Sequence, residues 1–292
     1  MSLATLGHVV VSGLATGSIY ALMALSLVIL YKATRTLNFA QGEMLMISTF
    51  VAWTAYQVLA LPLILTLVVA VGAGAGLALL VERLIIRRSI SATHWDVLII
   101  TLGLSLMLRA GAGVVWTHDD FPFPSFFGNR PVAVGPVRLA PVSLGIIGGS
   151  LAIMAALYAL FTWTRVGRAM RAVAQNQRAA RLMGISVEGV YSLSWMLAAV
   201  VGAIAGVLVA PVIFLSSKMG LIVINGFTAA VLGGFGSMPG AVLGGMLLGV
   251  IENLAPLYLP SDIRHSVPFL ILIGILLVRP AGLLGRVEQR KV

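Results

Sequence analysis

The sequence predicts an all-α protein, a polytopic transmembrane helix bundle of about eight spans, some of them broken or re-entrant. Three observations carry this. Apolar residues make up 60% of the chain and charged residues 10%, with a mean hydropathy of +1.06; no soluble domain could cover that much apolar surface, so the solvent is mainly lipid. The apolar residues fall into runs of span length. Lysine and arginine gather at the ends of those runs, where they set orientation, although the net charge of +10 taken alone would also fit a nucleic-acid binder. The chain has no soluble module to present a basic face, so nucleic acid is not an expected partner. One integral membrane domain, residues 1–292, is expected.

The first span is expected from about Leu6 to Tyr31, ending at Lys32 and Arg35. With no basic n-region ahead of it, it reads as an uncleaved span and not as a signal peptide. A second segment, Leu37 to Tyr56, opens on the polar stretch LNFAQGEMLMI. Leu61 to Val81 reads as a plain span followed by ERLIIRR, and Val97 to Trp116 as the next. A loop rich in proline and aromatics, Thr117 to Ala140, separates it from the span Val142 to Trp163. Val190 to Phe214 crosses back. Leu221 to Asn253 is too long for one plain span and is interrupted at GGFGSMPG, Gly233 to Gly240. The last span runs from about His265 to Val278.

Between two spans lies RVGRAMRAVAQNQRAARLMGIS, Arg165 to Ser186, with five arginines and no acid. Stepped as one helix, Val166, Ala169, Met170, Val173, Ala180 and Met183 share a side and the arginines occupy the other half. A basic amphipathic helix held between spans suits two jobs: lying on an anionic membrane surface, or docking into a soluble partner. Placing it in the cytoplasm and alternating the spans puts fourteen lysines and arginines inside, with Arg130, Arg138, Lys218 and Arg264 outside and Arg109 within a span. The N-terminus is then outside and the C-terminus inside. Parity makes Leu221 to Asn253 a helical hairpin or re-entrant pair, in a setting where protein or water satisfies the freed backbone, as a transport pathway would. Small-xxx-small pairs such as Gly13/Gly17, Gly72/Gly76, Gly202/Gly206 and Gly245/Gly249 imply close helix packing.

The main intramembrane polar cluster is Asn38, Gln41 and Glu43. A carboxylate at a helix centre costs about 2.5–3.5 kcal/mol on insertion scales and must face a partner or a cavity. Two readings follow: a polar lining for a solute path, or a solvated Glu43 near the cytoplasmic end, paired with Arg35. Asn225 and Thr228 on the interrupted segment invite the same comparison. Arg109 is expected to have a structural counter-ion or to snorkel. The four histidines lack metal-ligand spacing, there is no cysteine, and no glycine loop is followed by Lys-Ser/Thr. The repeated arginines of a voltage sensor and a potassium-filter sequence are absent as well. An enzyme is not expected.

Three stretches resemble one family. GLATGSIYALMALSLVILYKATRTLNFAQGEMLM, Gly13 to Met46, is similar to the opening of LivH-type permeases of branched-chain amino acid ABC importers. NGFTAAVLGGFGSMPGAVLGGMLLGVIENL, Asn225 to Leu254, is similar to that family's late broken segment. Residues 164–189 resemble its cytoplasmic coupling loop, with Ala174, Ala179, Ala180 and Gly184 in the expected places. The resemblance implies that Arg168, Arg171, Ala174, Ala180, Arg181, Met183 and Gly184 engage an ATPase. It also implies a second, LivM-type permease, two ATP-binding subunits, a periplasmic solute-binding protein, a small amino-acid substrate and an inner-membrane location. No cofactor is implied for this chain, ATP being bound by the partner subunits. Gln175 and Asn176 stand where relatives usually carry acids, and Lys32-Ala33-Thr34 where many are apolar. Relatives import urea and short amides too. A self-sufficient ion-coupled transporter or channel, with Glu43 as its ion site, is the alternative of a different class.

Overall fold

The structure, a computed structural model, describes residues 3–89, 94–128, 130–134, 137–258, 260 and 266–285. Its helices are α1 (Leu3–Thr34), α2 (Gln41–Leu59), α3 (Leu63–Val81), α4 (His94–Trp116), α5 (Pro141–Trp163), α6 (Arg165–Gln175), α7 (Gln177–Leu182), α8 (Val187–Ile213), α9 (Ile222–Gly233), α10 (Met238–Leu254) and α11 (Val267–Val278). A two-stranded antiparallel hairpin, β1 (Val132–Val134) and β2 (Val137–Leu139), sits in what reads from sequence as a plain loop. Among the described residues six helical stretches are long and apolar enough to cross a membrane, and Met219–Gly233 and Val267–Val278 are shorter apolar helices. The polar residues Gln41, Glu43 and Gln57 hold α2 below the apolarity of a plain span. The expected start of the last span at His265, together with Arg264, Arg286, Arg290 and Lys291, lies outside the described residues.

The chain divides into two compact units: Met1–Val28, Ser125–Leu151 and Ile224–Val292 in the first, Ile29–Pro124 and Ala152–Val223 in the second. In the first, glycines on α1 mesh with glycines on α10. A Cβ added at Gly17 would come within 2.8 Å of the Gly245 carbonyl oxygen, and one at Gly13 within 2.8 Å of Val250 Cα. Backbone meets backbone here, as the small-xxx-small spacing allows, whereas Gly72 and Gly76, expected from the same spacing to pack closely, have open space around them. In the second unit α2, α3 and α8 pack around Leu30, Ala40, Met44, Ala78, Val81, Leu104 and a fully buried Trp195. Gly74 of α3 lies against Ser48 of α2 and Ala203 of α8, so the three helices form one block.

The interruption expected at Gly233 to Gly240 is present: α9 stops at Gly233 and α10 starts at Met238. Gly234 has φ +102°, a conformation open to glycine at little cost. Ser237 caps α10 by accepting from Gly240 N at 3.1 Å, and proline follows in the first turn. The freed carbonyls of α9 are met by the chain itself and not by a solvated path. Leu283 N donates to Leu232 O at 2.8 Å and Leu284 N to Gly233 O at 3.0 Å, both from the segment after α11.

Two expectations need correction. The polar stretch from Leu37 is not helical at its start; α2 begins at Gln41, and Asn38 lies in the preceding turn. The arginine stretch is not one helix either. Asn176 is extended (φ −158°, ψ 106°) and its side chain accepts from Ala179 N at 3.0 Å, ending α6 and capping α7. The single apolar side therefore breaks: Met170, Val173 and Ala180 are buried, whereas Met183 is 82% exposed.

Inserting a methyl group at a backbone–backbone crossing costs about 1–3 kcal/mol, whereas Gly72 has open space around it. Gly17→Ala is expected to lower the thermal midpoint of the detergent-solubilised chain by several degrees. Gly72→Ala is expected to leave it unchanged or raise it. Equal shifts in the two variants would show that the α1–α10 crossing is not close-packed.

Candidate functional site

The start of α2 is built to hold polar groups inside an apolar block. Asn38 Oδ1 accepts from Ala40 N at 3.0 Å, forming a side-chain turn that leads the backbone into the helix. Asn38 Nδ2 donates to Gln41 Oε1 at 3.1 Å, and Gln41 Nε2 donates to Ala198 O of α8 at 2.8 Å. Asn38, Gln41 and Glu43 are each about 1% exposed. This is a sealed network joining two helices, with each amide fixed by its neighbour.

Glu43 is not solvated, and its ion-pair partner is Arg109 and not Arg35. Arg109 Nε lies 3.0 Å from Glu43 Oε1, and Arg109 Nη2 bonds the same oxygen. Ser105 Oγ donates to it at 3.4 Å. Ser105 and Arg109 stand four residues apart on α4, which puts both on the face toward α2. The guanidinium is one-third exposed, so the carboxylate is the deeper member of the pair. Glu43 Oε2 is buried with no hydrogen-bond partner among the described residues. It lies against Gly220, in the turn Met219–Leu221 that precedes α9, where any side chain would collide with the carboxylate. The Gly220 carbonyl in turn lies against Gly42, so glycine is required on both sides of this crossing.

The other expected pathway residues belong to the first unit. Thr228 is fully buried, and its hydroxyl donates to Ile224 O of its own helix at 3.0 Å, which satisfies it locally. Asn225 is half-buried, and its side chain makes no hydrogen bond to the described residues.

In the arginine stretch the five guanidinium-bearing residues are exposed. Arg171 donates to Phe161 O, tying α6 back to the end of α5, and Arg181 pairs with Glu188 of α8 at 3.1 Å. Arg168 has its side chain on the surface, Ala174 is half-buried and Ala180 is buried. Gly184, with φ +78°, makes the turn after α7. Leu182 and Met183 are 88% and 82% exposed, side by side at the end of α7.

A feature the sequence reading missed lies at the foot of α3. Glu82 begins a π-helical turn, Glu82–Ile86, in which Arg87 N bonds Glu82 O. Glu82 is 2% exposed and its carboxylate is fully used. Oε1 accepts from Arg87 Nε at 3.1 Å, while Oε2 accepts from Arg87 Nη2 at 3.1 Å and from Ser192 Oγ of α8 at 2.9 Å.

These elements define a class: a multi-pass helical membrane protein with broken helices and an ion pair inside one of its units. Its family is equally plain. The profile of the branched-chain amino acid transport system / permease component family matches residues 9–276, and the chain belongs to that family. It is similar to the high-affinity branched-chain amino acid transport system permease protein LivH of Salmonella typhimurium, 33% identical over 300 residues covering 96% of each chain. It is also similar to BraD of Pseudomonas aeruginosa, described in the same words, at 31% identity over 97% of this chain and 96% of the relative. Among solved structures it is similar in fold to PsaBC from Streptococcus pneumoniae in complex with Fab. The TM-score is 0.52 at 15% identity, covering 93% of this chain and 89% of that one.

Removing one member of a buried ion pair costs about 3–5 kcal/mol, because the other is left charged and unpaired. Arg109→Leu is therefore expected to abolish or severely reduce the folded yield. Glu43→Gln/Arg109→Leu together are expected to recover a large part of it, as measured by size-exclusion profile and thermal midpoint. A double variant no better than Arg109→Leu alone would separate the two residues energetically.

Proposed function

We propose that this chain is the membrane-embedded permease subunit of an ATP-driven importer for branched-chain or related small amino acids. It forms half of the translocation pathway and hydrolyses nothing itself. The family match over most of the chain supports the permease assignment. The observation that carries the coupling reading is the surface of α7. A leucine and a methionine there are more than four-fifths exposed, beside arginines, on a polar segment between two spans. Exposed apolar anchors preceded by exposed arginines fit a groove on a soluble protein better than they fit water.

In this reading residues 164–189 lie in the cytoplasm of an inner-membrane protein, with the N-terminus outside and the C-terminus inside. α6 and α7 seat in a groove of one of the two ATP-binding partner subunits through Leu182, Met183 and Arg178, with Arg168, Arg171 and Arg181 at the rim. A second, LivM-type permease completes the pathway, and a periplasmic binding protein delivers the solute. In this reading Asn38, Gln41 and Glu43, sealed against α8 and α4 in this structure, join the solute path when the block rearranges during transport. Urea or a short amide would use the same machine. A self-sufficient ion-coupled carrier is disfavoured by one observation: the charge of Glu43 is already matched by Arg109.

Leu182→Glu with Met183→Glu is expected to weaken capture of the ATP-binding subunits by tenfold or more, since truncating an interface anchor costs about 2 kcal/mol or more. Uptake of labelled leucine by cells carrying that variant should fall with it. Uptake by the purified chain alone in vesicles, without ATP or ATPase, would overturn the assignment. Uptake of labelled urea in place of leucine would keep the machine and change the cargo.

A further inference from the structure

We infer that Glu82, Arg87 and Ser192 form the clamp that carries displacement of the coupling helices into the α2–α3–α8 block, making Glu82 and Ser192 positioning residues for transport. The inference rests on the ATPase-coupling reading of α6 and α7 and adds to it a route inside this chain.

The clamp exists because of a departure from α-helical geometry. In an α-helix residues five apart are about 140° from each other around the axis, so Glu82 and Arg87 would diverge. The i→i+5 bond from Arg87 N to Glu82 O widens the turn and brings the two side chains together. The guanidinium then grips the carboxylate through Nε and Nη2. Its Nη2 also donates to Ser192 Oγ at 2.7 Å, while Ser192 Oγ donates to Glu82 Oε2 at 2.9 Å. The hydroxyl closes a three-membered ring across two helices that are distant in sequence. A solvated helix end needs none of this, and Glu82 is almost entirely out of water.

The clamp is continuous with the coupling segment. Ser192 lies on the first turns of α8, whose Glu188 pairs with Arg181 and whose Tyr191 hydroxyl accepts from Gln177 Nε2 at 2.6 Å. Positions 188, 191 and 192 share one end of α8. Two of them hold α7, and the third holds the foot of α3. Beyond the clamp α3 is close-packed on α8 and α2 at Gly74, and α2 is bonded to α8 through Gln41. A push on α7 therefore reaches the polar start of α2 through bonded and close-packed groups alone. At the foot, the clamp adds a directional polar tie to the apolar packing of Ala78 and Val81 of α3 on Trp195 and Ala198 of α8.

The test uses the assembled importer, with its second permease, ATP-binding subunits and binding protein, reconstituted in vesicles. ATP hydrolysis and labelled-leucine uptake are measured on the same preparation. Ser192→Ala deletes only the bridging hydroxyl, and Glu82→Gln keeps the shape while removing the charge. Both variants are expected to keep binding-protein-stimulated hydrolysis while uptake per ATP falls about tenfold, the loss of a charged hydrogen bond converted to a ratio. Ser192→Thr, which retains the hydroxyl, is expected to restore the ratio. Unchanged uptake per ATP in Ser192→Ala and Glu82→Gln overturns the inference. So does a parallel fall in hydrolysis and uptake with loss of assembled complex, which would mark the clamp as structural only. Failure of the unsubstituted assembly to couple ATP to uptake would instead sink the importer reading, a different result from either.

Discussion

Inside an apolar bundle there is no water to repair a misplaced charge, so an ionised side chain there must be matched by another part of the chain. The second unit is organised by its most expensive example, the Glu43 carboxylate, held by Arg109 and Ser105 of α4 and walled by Gly220. Such a pair adds little net stability, because desolvating two charges offsets their attraction. What it confers is placement. α2 has one register against α4 in which the carboxylate meets the guanidinium, and one approach to the Met219–Leu221 turn that Gly42 and Gly220 permit. Asn38 and Gln41 then fall where they can bond each other and Ala198 of α8. The polar start of α2 follows from where its charge had to go.

The features legible in the sequence are those set by local composition. Span limits followed from runs of apolar residues bounded by arginine and lysine. The α9–α10 interruption followed from four glycines and a proline in eight residues. Spacing pointed to the meshing of Gly13 and Gly17 with the α10 glycines, but it pointed equally to Gly72 and Gly76, which face open space. Within the candidate site, the residue types at Asn38, Gln41 and Glu43 announced an intramembrane polar cluster, path lining or solvated; that the cluster is sealed was not legible. Arg109 announced a counter-ion or a snorkelling side chain. Which carboxylate it was could not be read. Arg109 and Glu43 are 66 residues apart, and either helix could turn another face inward without changing its composition.

Other features were hidden for different physical reasons. The π-helical turn at Glu82 depends on which carbonyl Arg87 N selects, a choice between i→i+4 and i→i+5 that hydrophobic periodicity does not encode. The break at Asn176 depends on a side chain competing with the backbone for one N–H group, where the angular pattern alone favours a continuous helix. The satisfaction of Leu232 O and Gly233 O by residues 283 and 284 is a tertiary event. A broken helix in a lipid-facing sequence points to water or to protein with equal force, and here it was protein.

The two-helix form of the arginine stretch changes how a force would travel. A single amphipathic helix with Met183 on its apolar side would bury that methionine and offer a partner only arginines. Splitting the helix at Asn176 turns the end of α7 outward, so Leu182 and Met183 become the exposed apolar anchors, while Met170, Val173 and Ala180 stay buried. The segment thereby has two faces, one packed on the body of its own unit and one exposed. Its links to α8 through Arg181 and Gln177 are exposed and individually weak. The next link, at Ser192, involves a buried carboxylate and three charge-assisted bonds. Bonding therefore strengthens from the exposed end of the segment toward the α3 foot, which is the gradient that the proposed coupling role calls for, with an adaptable tip and a base that does not yield.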